Sequence, residues 1–410
     1  MEGLAMCSKR ITGCMLVGVV VSGAFAAERL SCPTITENKR PALVFVEGPV
    51  DQSHLYAAWL DGRTLRREKI ISGRYLEVTQ LDNAVFLVTV MDSHASGQVY
   101  AADLGAGVMK FIADGTQTHC IRSEPNRKVA MLMEADASGT KTRLIELNLV
   151  TLDATLRYQL SRQILGADLL FIGPDVRLSP DFRHIAYCWK QGPLRVERWS
   201  QYELRLLDLS TMEVQVLDPN VGVQISASSS FACGRPPFEW ISDKDIVYLD
   251  MASNEPDVIS TYAREAVGIF KVVDIQTTNI TESFRRVLPL TLDGGSLRTN
   301  PLNGRLLYDD RHFLDLKKNT LDAKNLPFSV VSDFSSRKTQ VLNGVDVLYS
   351  GSAYCVGSCL SACGGNFAYA LRERTESLGV TLYAKMRHRA EPLKVGEGPY
   401  LPTRPIGWIE

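Results

Sequence analysis

Residues 176–191 read VRLSPDFRHIAYCWKQ, and residues 202–218 read YELRLLDLSTMEVQVLD. Ser179-Pro180-Asp181 has the residues of a tight turn, because proline fixes φ and aspartate accepts hydrogen bonds from nearby backbone amides. The apolar run IAYCW that follows predicts a strand buried on both faces. The mixture of apolar and charged residues in YELRLLDL predicts a neighbouring, partly exposed strand. This stretch therefore predicts a unit of antiparallel strands joined by short turns.

The apolar run recurs along the chain, in seven copies whose starts lie 42 to 61 residues apart. The copies are ALVFV (42–46), AVFLV (84–88), VAMLM (129–133), IAYCW (185–189), IVYLD (246–250), LLYD (306–309) and FAYAL (367–371). Self-similarity at this period indicates a repeat protein, in which small sheets bury their faces by stacking on their neighbours. The pattern predicts an all-β fold, a β-propeller of seven four-stranded blades. Six or eight blades remain open alternatives.

The end of the chain resembles the start of one repeat. RPPFEWISD (235–243) leads into the fifth copy of the apolar run, and RPIGWIE (404–410) is similar to it. We expect this tail to supply the innermost strand of the first blade, because joining both ends in one sheet removes an open edge. Trp240 and Trp408 hold matching places in the two segments and are expected to pack between blades.

Two segments of the fourth unit, LSPDFRHIAY (178–187) and ELRLLDLST (203–211), resemble the TolB-like repeat of WD40-like β-propellers. Phe182 stands where that repeat usually has glycine. The resemblance covers residues 38–410 and implies a propeller fold. TolB itself is a periplasmic protein with a separate N-terminal domain. Other propellers with this repeat bind ligands, act as scaffolds or cover peptidase active sites, so the resemblance implies an architecture and no particular ligand.

The N-terminus has the features of a secretory signal peptide. Lys9-Arg10 precedes the apolar stretch 11–26, which ends in the cleavage pattern Ala24-Phe25-Ala26. An uncleaved membrane anchor is the alternative, although a span needs about 20 apolar residues. We therefore predict residues 1–26 as signal peptide, 27–37 as an N-terminal extension and 38–410 as a single propeller domain. The protein is then periplasmic or secreted, without a membrane span after cleavage.

The charge balance indicates which kinds of partner the chain could bind, and the cysteine content indicates which disulfides or metal sites are possible. The predicted mature chain has nearly equal numbers of acidic and basic residues, which argues against a nucleic-acid binder. Its seven cysteines leave at least one thiol free or paired with another chain. For Cys355, Cys359 and Cys363, a disulfide, free thiols and a metal site are all open; zinc sites favour different spacings, and export favours a disulfide. Cys188 lies within an apolar run and is predicted to be buried.

No catalytic motif is present in the sequence. There is no G-x-S-x-G or H-E-x-x-H pattern, and the six histidines are scattered without ligand spacing. We predict no catalytic residues, no metal and no cofactor. A site that gathers side chains from several blades around the channel would escape a motif search, so the question of enzyme activity stays open, with binding favoured over catalysis.

Three arginines share one position in their repeats. Arg122, Arg177 and Arg298 each lie three residues before a turn proline, so we expect them at one level of the innermost strands. A ring of guanidinium groups near the channel would suit a small anionic ligand. The alternative, which we favour, is that they pair with acidic groups of the neighbouring blade.

Two long polar insertions, 250–267 and 310–327, interrupt the same connection in adjacent units. Loops of this length on a compact repeat are usually binding elements or disordered. The sequence favours a monomeric envelope propeller that binds a protein partner or serves as a scaffold through this rim. The alternative is a channel-site enzyme or a binder of small anions.

Overall fold

The computed structural model describes residues 29–49, 51–91, 97–114, 118–135, 141–161, 176–189, 199–224, 238–251, 265–289, 297–299, 306–308, 312–318, 320–322, 328–333, 338–343, 346–361, 363–372, 379–399 and 403–410. In these residues the chain forms strands, with two short 3₁₀ helices at Glu37–Lys39 and Pro125–Arg127, so the all-β prediction is confirmed. No helix in them is long and apolar enough to cross a membrane. The predicted signal peptide, 1–26, lies outside them.

The strands are numbered in chain order. Those of the first half are β1 (Arg29–Ser31), β2 (Ala42–Glu47), β3 (Ser53–Asp61), β4 (Thr64–Gly73), β5 (Tyr75–Gln80), β6 (Val85–Met91), β7 (Gly97–Asp103), β8 (Val108–Asp114), β9 (Thr118–Glu124), β10 (Val129–Ala135), β11 (Lys141–Asn148), β12 (Ala154–Ser161), β13 (Val176–Leu178), β14 (His184–Trp189), β15 (Trp199–Asp208) and β16 (Val214–Gln224).

Those of the second half are shorter on average. They are β17 (Phe238–Trp240), β18 (Asp245–Met251), β19 (Glu265–Asp274), β20 (Ile280–Pro289), β21 (Leu297–Thr299), β22 (Leu306–Tyr308), β23 (His312–Asp315), β24 (Thr320–Asp322), β25 (Phe328–Asp333), β26 (Lys338–Asn343), β27 (Asp346–Gly351), β28 (Tyr354–Leu360), β29 (Phe367–Arg372), β30 (Gly379–Lys385), β31 (Leu393–Pro399) and β32 (Arg404–Ile409).

The described strands form eight antiparallel sheets. In chain order their strand orders are β32-β2-β3-β4, β1-β8-β7-β6-β5, β9-β10-β11-β12, β13-β14-β15-β16, β17-β18-β19-β20, β21-β22-β23-β24, β25-β26-β27 and β28-β29-β30-β31. We refer to them as the first to the eighth sheet. Each of the seven apolar runs lies in a second strand, next to the innermost strand of its sheet. This position explains the pattern, because such a strand is covered on both faces and paired along both edges.

Neighbouring sheets stack face to face. One buried apolar cluster joins the first and second sheets, and further clusters join second to third, third to fourth, fourth to fifth and fifth to sixth. Two more join the seventh to the eighth sheet and the eighth to the first. The first strands of most neighbouring sheets also contact each other. Small antiparallel sheets stacked in chain order around their first strands are the arrangement of a β-propeller.

The tail strand β32 pairs with β2 as an antiparallel neighbour, from Ala42 opposite Ile409 to Val46 opposite Arg404. Trp408 is 2% exposed and packs in the cluster that joins the first and eighth sheets. Trp240 is equally buried in the cluster between the fourth and fifth sheets. Both tryptophans therefore pack between sheets, as the sequence predicts.

The N-terminal extension contributes a strand that the sequence did not indicate. β1 adds to the outer edge of the second sheet, where Leu30 lies opposite Met109. Ile35, a few residues later, is fully buried between the first and second sheets. Lys39 then forms an ion pair with Glu68 on β4. The segment thus runs across the outer edges of two neighbouring sheets.

The second of the two long insertions differs from the expectation of a loop, and the first is largely untested. Most of 250–267 falls on residues 252–264, which lie outside the described part of the chain, and residues 265–267 already belong to β19. The insertion 310–327 contains the hairpin β23–β24, which pairs with β22. Because this hairpin completes the sixth sheet, the strands that follow form a separate seventh sheet. The count of seven repeats follows from treating these strands as part of one unit.

Candidate functional site

The three predicted arginines lie on first strands, which are the innermost strands of their sheets. Arg177 on β13 lies opposite Ala186, and Arg298 on β21 lies opposite Leu307; both partners are second residues of their apolar runs. Arg122 on β9 lies opposite Met131, the third residue of its run. The turn after Arg122 is one residue shorter than the other two turns, and this shifts Arg122 by one place in register.

Both arginines with described side chains have acidic partners. Arg122 Nε lies 2.6 Å from Glu124 Oε1, and its Nη1 donates to the Leu178 carbonyl of the next sheet at 3.4 Å. Arg177 Nε lies 3.8 Å from Glu239 Oε2. The side chain of Arg298 lies outside the described part of the structure. The two guanidinium charges are therefore compensated by carboxylates within the first strands.

Glu239 extends this polar set to the fifth sheet. It lies on β17 opposite Val247, which is the same register position that Arg177 holds on β13. Its side chain is largely buried, and one carboxylate oxygen accepts the backbone amide of Trp240 at 2.9 Å. A buried carboxylate needs a positive partner or hydrogen bonds. The alternation of Arg177 and Glu239 in equivalent places therefore indicates a role in joining the fourth sheet to the fifth.

Further along β9 from Arg122 lie a histidine and a thiol. His119 Nδ1 on β9 lies 4.0 Å from Glu77 Oε1 on β5. Burial raises the pKa of the neighbouring Cys120 thiol to about 12, although the charges of Arg122 and Arg177 partly oppose this. A thiol with such a pKa is protonated at neutral pH and is a poor nucleophile. Cys120 is therefore unsuited to covalent catalysis.

The turns between first and second strands are tied to one another at one end of the stack. Lys128 Nζ lies 2.8 Å from Asp82 Oδ2, which joins the turns of the third and second sheets. Arg127 Nη1 donates to the Pro180 carbonyl at 3.1 Å and its guanidinium stacks over Phe182 at 4.6 Å, which joins the third to the fourth. Ionic and stacking contacts thus join the turns of the second, third and fourth sheets on this face.

Phe182 adopts a left-handed backbone conformation, with φ of 64°. This conformation is strained for residues with a Cβ and is the reason why glycine is common at such a turn position. The contact with Arg127 gives the aromatic ring a partner in the next turn. Phe182, in place of the usual glycine, therefore provides a contact between the turns of the third and fourth sheets.

Glu410 fastens the tail at the same face. Its carboxylate accepts the backbone amide of Cys363 at 2.6 Å, the Cys363 thiol at 2.7 Å and the Asn366 side chain at 3.3 Å. Its backbone amide donates to Asn83 Oδ1 at 2.8 Å, and its carbonyl accepts Asn83 Nδ2 at 2.7 Å. Arg40 Nη1 also donates to this carbonyl at 3.3 Å. We call this set, formed by residues 40, 83, 363, 366 and 410, the tail latch.

The electrostatics of the tail latch favour an ionised carboxylate. Burial works against ionisation of Glu410, but the hydrogen bonds from Cys363, Ser361 and Asn366 outweigh it and lower the pKa of the carboxyl below its usual value. The latch joins the turns of the eighth and second sheets through the tail of the first. Sequence reasoning missed it, because no local pattern connects Asn83 or Cys363 with residue 410.

A second polar cluster lies between the fourth and fifth sheets. The Tyr248 hydroxyl donates to Asp218 Oδ2 at 2.6 Å, and Lys271 Nζ lies 2.6 Å from Asp250 Oδ2 and 3.6 Å from Asp218 Oδ2. Burial, followed by the Asp218 hydrogen bond, raises the pKa of Tyr248 far above its usual value. Every charged group of this cluster has an opposite charge within reach, so we regard it as a structural connection between sheets.

Among the described cysteines, Cys32, Cys120, Cys359 and Cys363 are free thiols. Cys355 and Cys359 lie four residues apart on the extended strand β28, which separates them by about 13 Å, too far for a disulfide. Cys233 lies outside the described residues. Cys188 is buried between the fourth and fifth sheets, as predicted. Within the described ranges, no group of three His, Cys, Asp or Glu side chains has an arrangement that could hold a metal ion.

The chain was compared with known proteins. No family model and no curated protein matches it. Among solved structures it is similar to TolB from Acinetobacter baumannii, at 12% identity over 91% of this chain and 67% of that chain, with a TM-score of 0.35. It is also similar to the β-propeller domain of the Trilobed protease from Pyrococcus furiosus, at 7% identity over 87% of this chain and 98% of that chain, with a TM-score of 0.43. The tricorn protease matches at 14% identity over 90% of this chain but only 35% of its own length, with a TM-score of 0.38. At these values the comparisons assign neither a family nor a role.

Proposed function

We propose that the chain is an exported β-propeller of the cell envelope, closed through β32, that acts as a protein-interaction module. The signal-peptide pattern of residues 1–26 supports export to the periplasm or beyond the cell. The pairing of β32 with β2 and the tail latch support a closed ring whose eight sheets are its blades. A closed ring is rigid, and its outer strands and loops are then the surfaces that remain available to partners.

The observation that carries the proposal is the addition of β1 to the second sheet. Arg29 to Ser31 pair antiparallel with Lys110 to Val108 on the outer strand β8. Strand addition to an open sheet edge is a common mode of peptide recognition, with backbone hydrogen bonds for affinity and side chains for specificity. The chain's own extension thus supplies an example of how an outer edge of this fold holds an extended segment.

The outer edge of the fourth sheet is the surface that we assign to a partner. β16 is the longest strand in the described part of the chain, and no described strand pairs with its outer edge. Val214 and Val216 on this edge are 39% and 43% exposed. Because strand side chains alternate between faces, both valines lie on the same face. Natural proteins usually protect open edges with charge or proline, and in β16 these residues, Asp218-Pro219, lie in the middle of the strand. The stretch before them carries the two exposed β-branched residues, which favour a binding role.

The partner is accordingly an extended protein segment with apolar side chains two residues apart. Such a segment adds to β16 as a fifth strand, as β1 does on β8. Its apolar side chains then pack against Val214 and Val216 as cross-strand neighbours, each pair contributing about 0.2–1 kcal/mol. The rim that carries 250–267, favoured by the sequence, lies mostly outside the described residues and does not enter this proposal.

The experiment compares three forms of residues 27–410 immobilised for capture from envelope extract. They are the wild type, Val214→Lys/Val216→Lys, and the matched control Val150→Lys/Val347→Lys, whose valines are 66% and 55% exposed elsewhere. A partner of the β16 edge is retained by the wild type and the control and is lost from the β16 variant. If the captured proteins are the same for all three forms while their melting temperatures agree, the proposed edge is wrong.

A small-anion site at Arg122, Arg177 and Arg298 is the second candidate function, and the contacts do not favour it. Glu124 and Glu239 lie beside two of the three guanidinium groups. An anion at these arginines would have to displace the carboxylates. We therefore rank an anion binder or a channel-site enzyme below the interaction module.

A further inference from the structure

The turn before β16 fixes which of its backbone groups face outward. The Asp208 amide donates to the Glu213 carbonyl at 3.0 Å, which makes these two residues a hydrogen-bonded pair. Hydrogen-bonded pairs alternate along an antiparallel ladder, so the next such pair on β16 is formed by Gln215. The backbone groups of Val214 and Val216 therefore point away from β15, toward the outer edge of the fourth sheet, with which no described strand pairs.

The pairing on the inner side of β15 gives the same direction. The Leu209 amide donates to the Arg183 carbonyl at 2.9 Å, so the pair two places further along, Leu207 with Ile185, is also hydrogen-bonded. Leu207 thus directs its backbone groups to β14 and away from Val214, which lies opposite it on β16. Contacts on both sides of β15 therefore agree that the backbone of Val214 faces outward.

The outward-facing groups form a short ladder. Two register irregularities interrupt β16 between Val216 and Val221, and Pro219 lies between them. Proline has no amide hydrogen to donate, so a partner strand cannot continue an unbroken ladder past this point. Val214 and Val216 offer two N–H and two C=O groups, which suit an antiparallel segment of about five residues.

The side chains of Val214 and Val216 face the third sheet. Residues directly opposite each other in an antiparallel pair share one face. Val214 lies opposite Leu207, which packs in the buried cluster that joins the third and fourth sheets. Val216 lies opposite Arg205, whose guanidinium stacks at 3.6 Å on Trp189, and Trp189 packs against the same cluster. The two valines therefore line the outer part of the groove between the third and fourth sheets.

The same place is covered in the two preceding sheets. Met109 in the second sheet and Ala154 in the third hold the place of Val214, as their cross-strand partners show. Both pack in the cluster that joins their own sheet to the one before it, and they are 8% and 4% exposed. Val214 is 39% exposed. The groove in front of the fourth sheet is thus open where the two earlier grooves are closed.

Tyr158 on β12 contributes the third-sheet wall of this groove. It lies opposite Leu144, a member of the cluster between the third and fourth sheets, so its ring faces the fourth sheet. The ring is partly buried and packs against that cluster. Met212, in the turn before β16, packs against the cluster from the fourth sheet. The groove therefore has an aromatic wall on one side and aliphatic side chains on the other.

On the basis of the proposed function, we propose that the segment bound at β16 is a short antiparallel strand whose two apolar side chains enter this groove, and that Tyr158 sets their size. Antiparallel addition is the mode that β1 shows on β8. Residues opposite Val214 and Val216 place their side chains on the same face as the valines, toward the third sheet. The residue between them points away from the groove and is polar. Beside the tyrosine ring, valine or leucine fits and an aromatic side chain does not.

The probe is a labelled, blocked peptide with two identical apolar residues separated by threonine, flanked by threonine and then lysine, and its binding to residues 27–410 is measured by fluorescence anisotropy. The apolar residues are valine, leucine or phenylalanine. We expect the valine and leucine peptides to bind about tenfold more tightly than the phenylalanine peptide. Tyr158→Ala enlarges the groove and should remove this preference. Tyr100→Ala, which changes a partly buried tyrosine of the second sheet, is the matched control and should leave the preference intact.

The backbone pairing is tested on both sides. N-methylation of the two apolar residues removes the peptide amides that face β16 and should abolish binding, whereas N-methylation of the threonine between them should not. Val216→Pro removes an outward-facing amide, so it should keep the melting temperature and weaken peptide binding about tenfold. Gln215→Pro removes an amide that faces β15 and should lower the melting temperature. Val216→Ile keeps the amide and the apolar side chain, and should bind like the wild type.

Three results would overturn the inference. They are a peptide preference that Tyr158→Ala leaves unchanged, a wild-type protein that binds none of the peptides, and a Val216→Pro variant that melts below Gln215→Pro. The proposed function fails separately, if the peptides bind as expected but no envelope protein is lost from the Val214→Lys/Val216→Lys variant.

Discussion

Replacement of Trp408 by alanine tests whether the tail strand holds the first and eighth sheets together. The indole is 2% exposed and packs among residues of both sheets, including Leu43 on β2 and Ala368 on β29. Its removal leaves the backbone pairing of β32 in place and deletes only the packing. Trp59→Ala is the matched control, because Trp59 lies on β3 of the same sheet and is only half-buried beneath Lys39.

The expected loss follows from burial. A buried tryptophan removes about 200 Å² from water, which at about 25 cal/mol per Å² amounts to about 5 kcal/mol. Measured changes of this kind fall at about 3–5 kcal/mol, because the surroundings partly collapse into the cavity. With an unfolding entropy of about 2.1 cal/mol/K per residue, a domain of this size should melt about 4–6 °C lower. Trp59→Ala should cost about 1–2 kcal/mol, in proportion to its smaller buried area.

Urea unfolding monitored by circular dichroism measures both variants against the wild type. We expect the midpoint for Trp408→Ala to fall clearly below that for Trp59→Ala, with an unchanged slope for both. Equal midpoints for the two variants, or an unchanged midpoint for Trp408→Ala, would refute the assignment of Trp408 to a packed contact between sheets.

The tail latch should make stability sensitive to acid. Because the pKa of the Glu410 carboxyl is lowered in the folded state, its contribution is present at neutral pH and is lost as the pH falls through that lowered value. Glu410→Gln should therefore lower the melting temperature at pH 7 and reduce the further drop in acid; an identical pH profile would contradict this. Tyr248→Phe should cost about 1.5–3 kcal/mol in urea unfolding, because it removes one hydrogen bond to the buried Asp218 carboxylate, and a loss below about 0.5 kcal/mol would count against that bond. Iodoacetamide should label the exposed Cys363 well before Cys120, whose pKa is raised to about 12, as peptide mass spectrometry can check; the reverse order would be contrary to the burial described. Mass spectrometry of the exported protein should give an N-terminus at Ala27, whereas an intact leader in the membrane fraction would show an anchor.

The repeated second strands could be predicted because their signal is local. A strand such as β14, covered on both faces and paired along both edges, must be apolar throughout, and IAYCW shows this directly. The tail strand could also be found, since RPIGWIE repeats a segment that precedes another second strand. In each case the residues of the strand itself indicate how it is buried and paired.

The remaining features depend on contacts between distant parts of the chain. β1 is three residues long and is held mainly by the edge of β8, so its sequence carries no strand pattern. The tail latch joins Asn83, Cys363 and Glu410 through single hydrogen bonds that leave no periodicity. The prediction that all three arginines share one register position is wrong for Arg122. Its turn is one residue shorter, and this moves the side chain along the strand without changing the motif around it.

Site-specific cross-linking at the outer edge of the fourth sheet tests the proposed binding role most directly. Gln215 lies between Val214 and Val216 and is exposed, so a photoactivatable phenylalanine analogue at this position should react with a strand bound to β16. The same analogue at Val150, exposed in the turn before β12, serves as the control. The proposed function predicts one discrete adduct from position 215 in cells that export the protein, mapped to an extended apolar segment of an envelope protein. An adduct pattern no different from that of position 150 would contradict it.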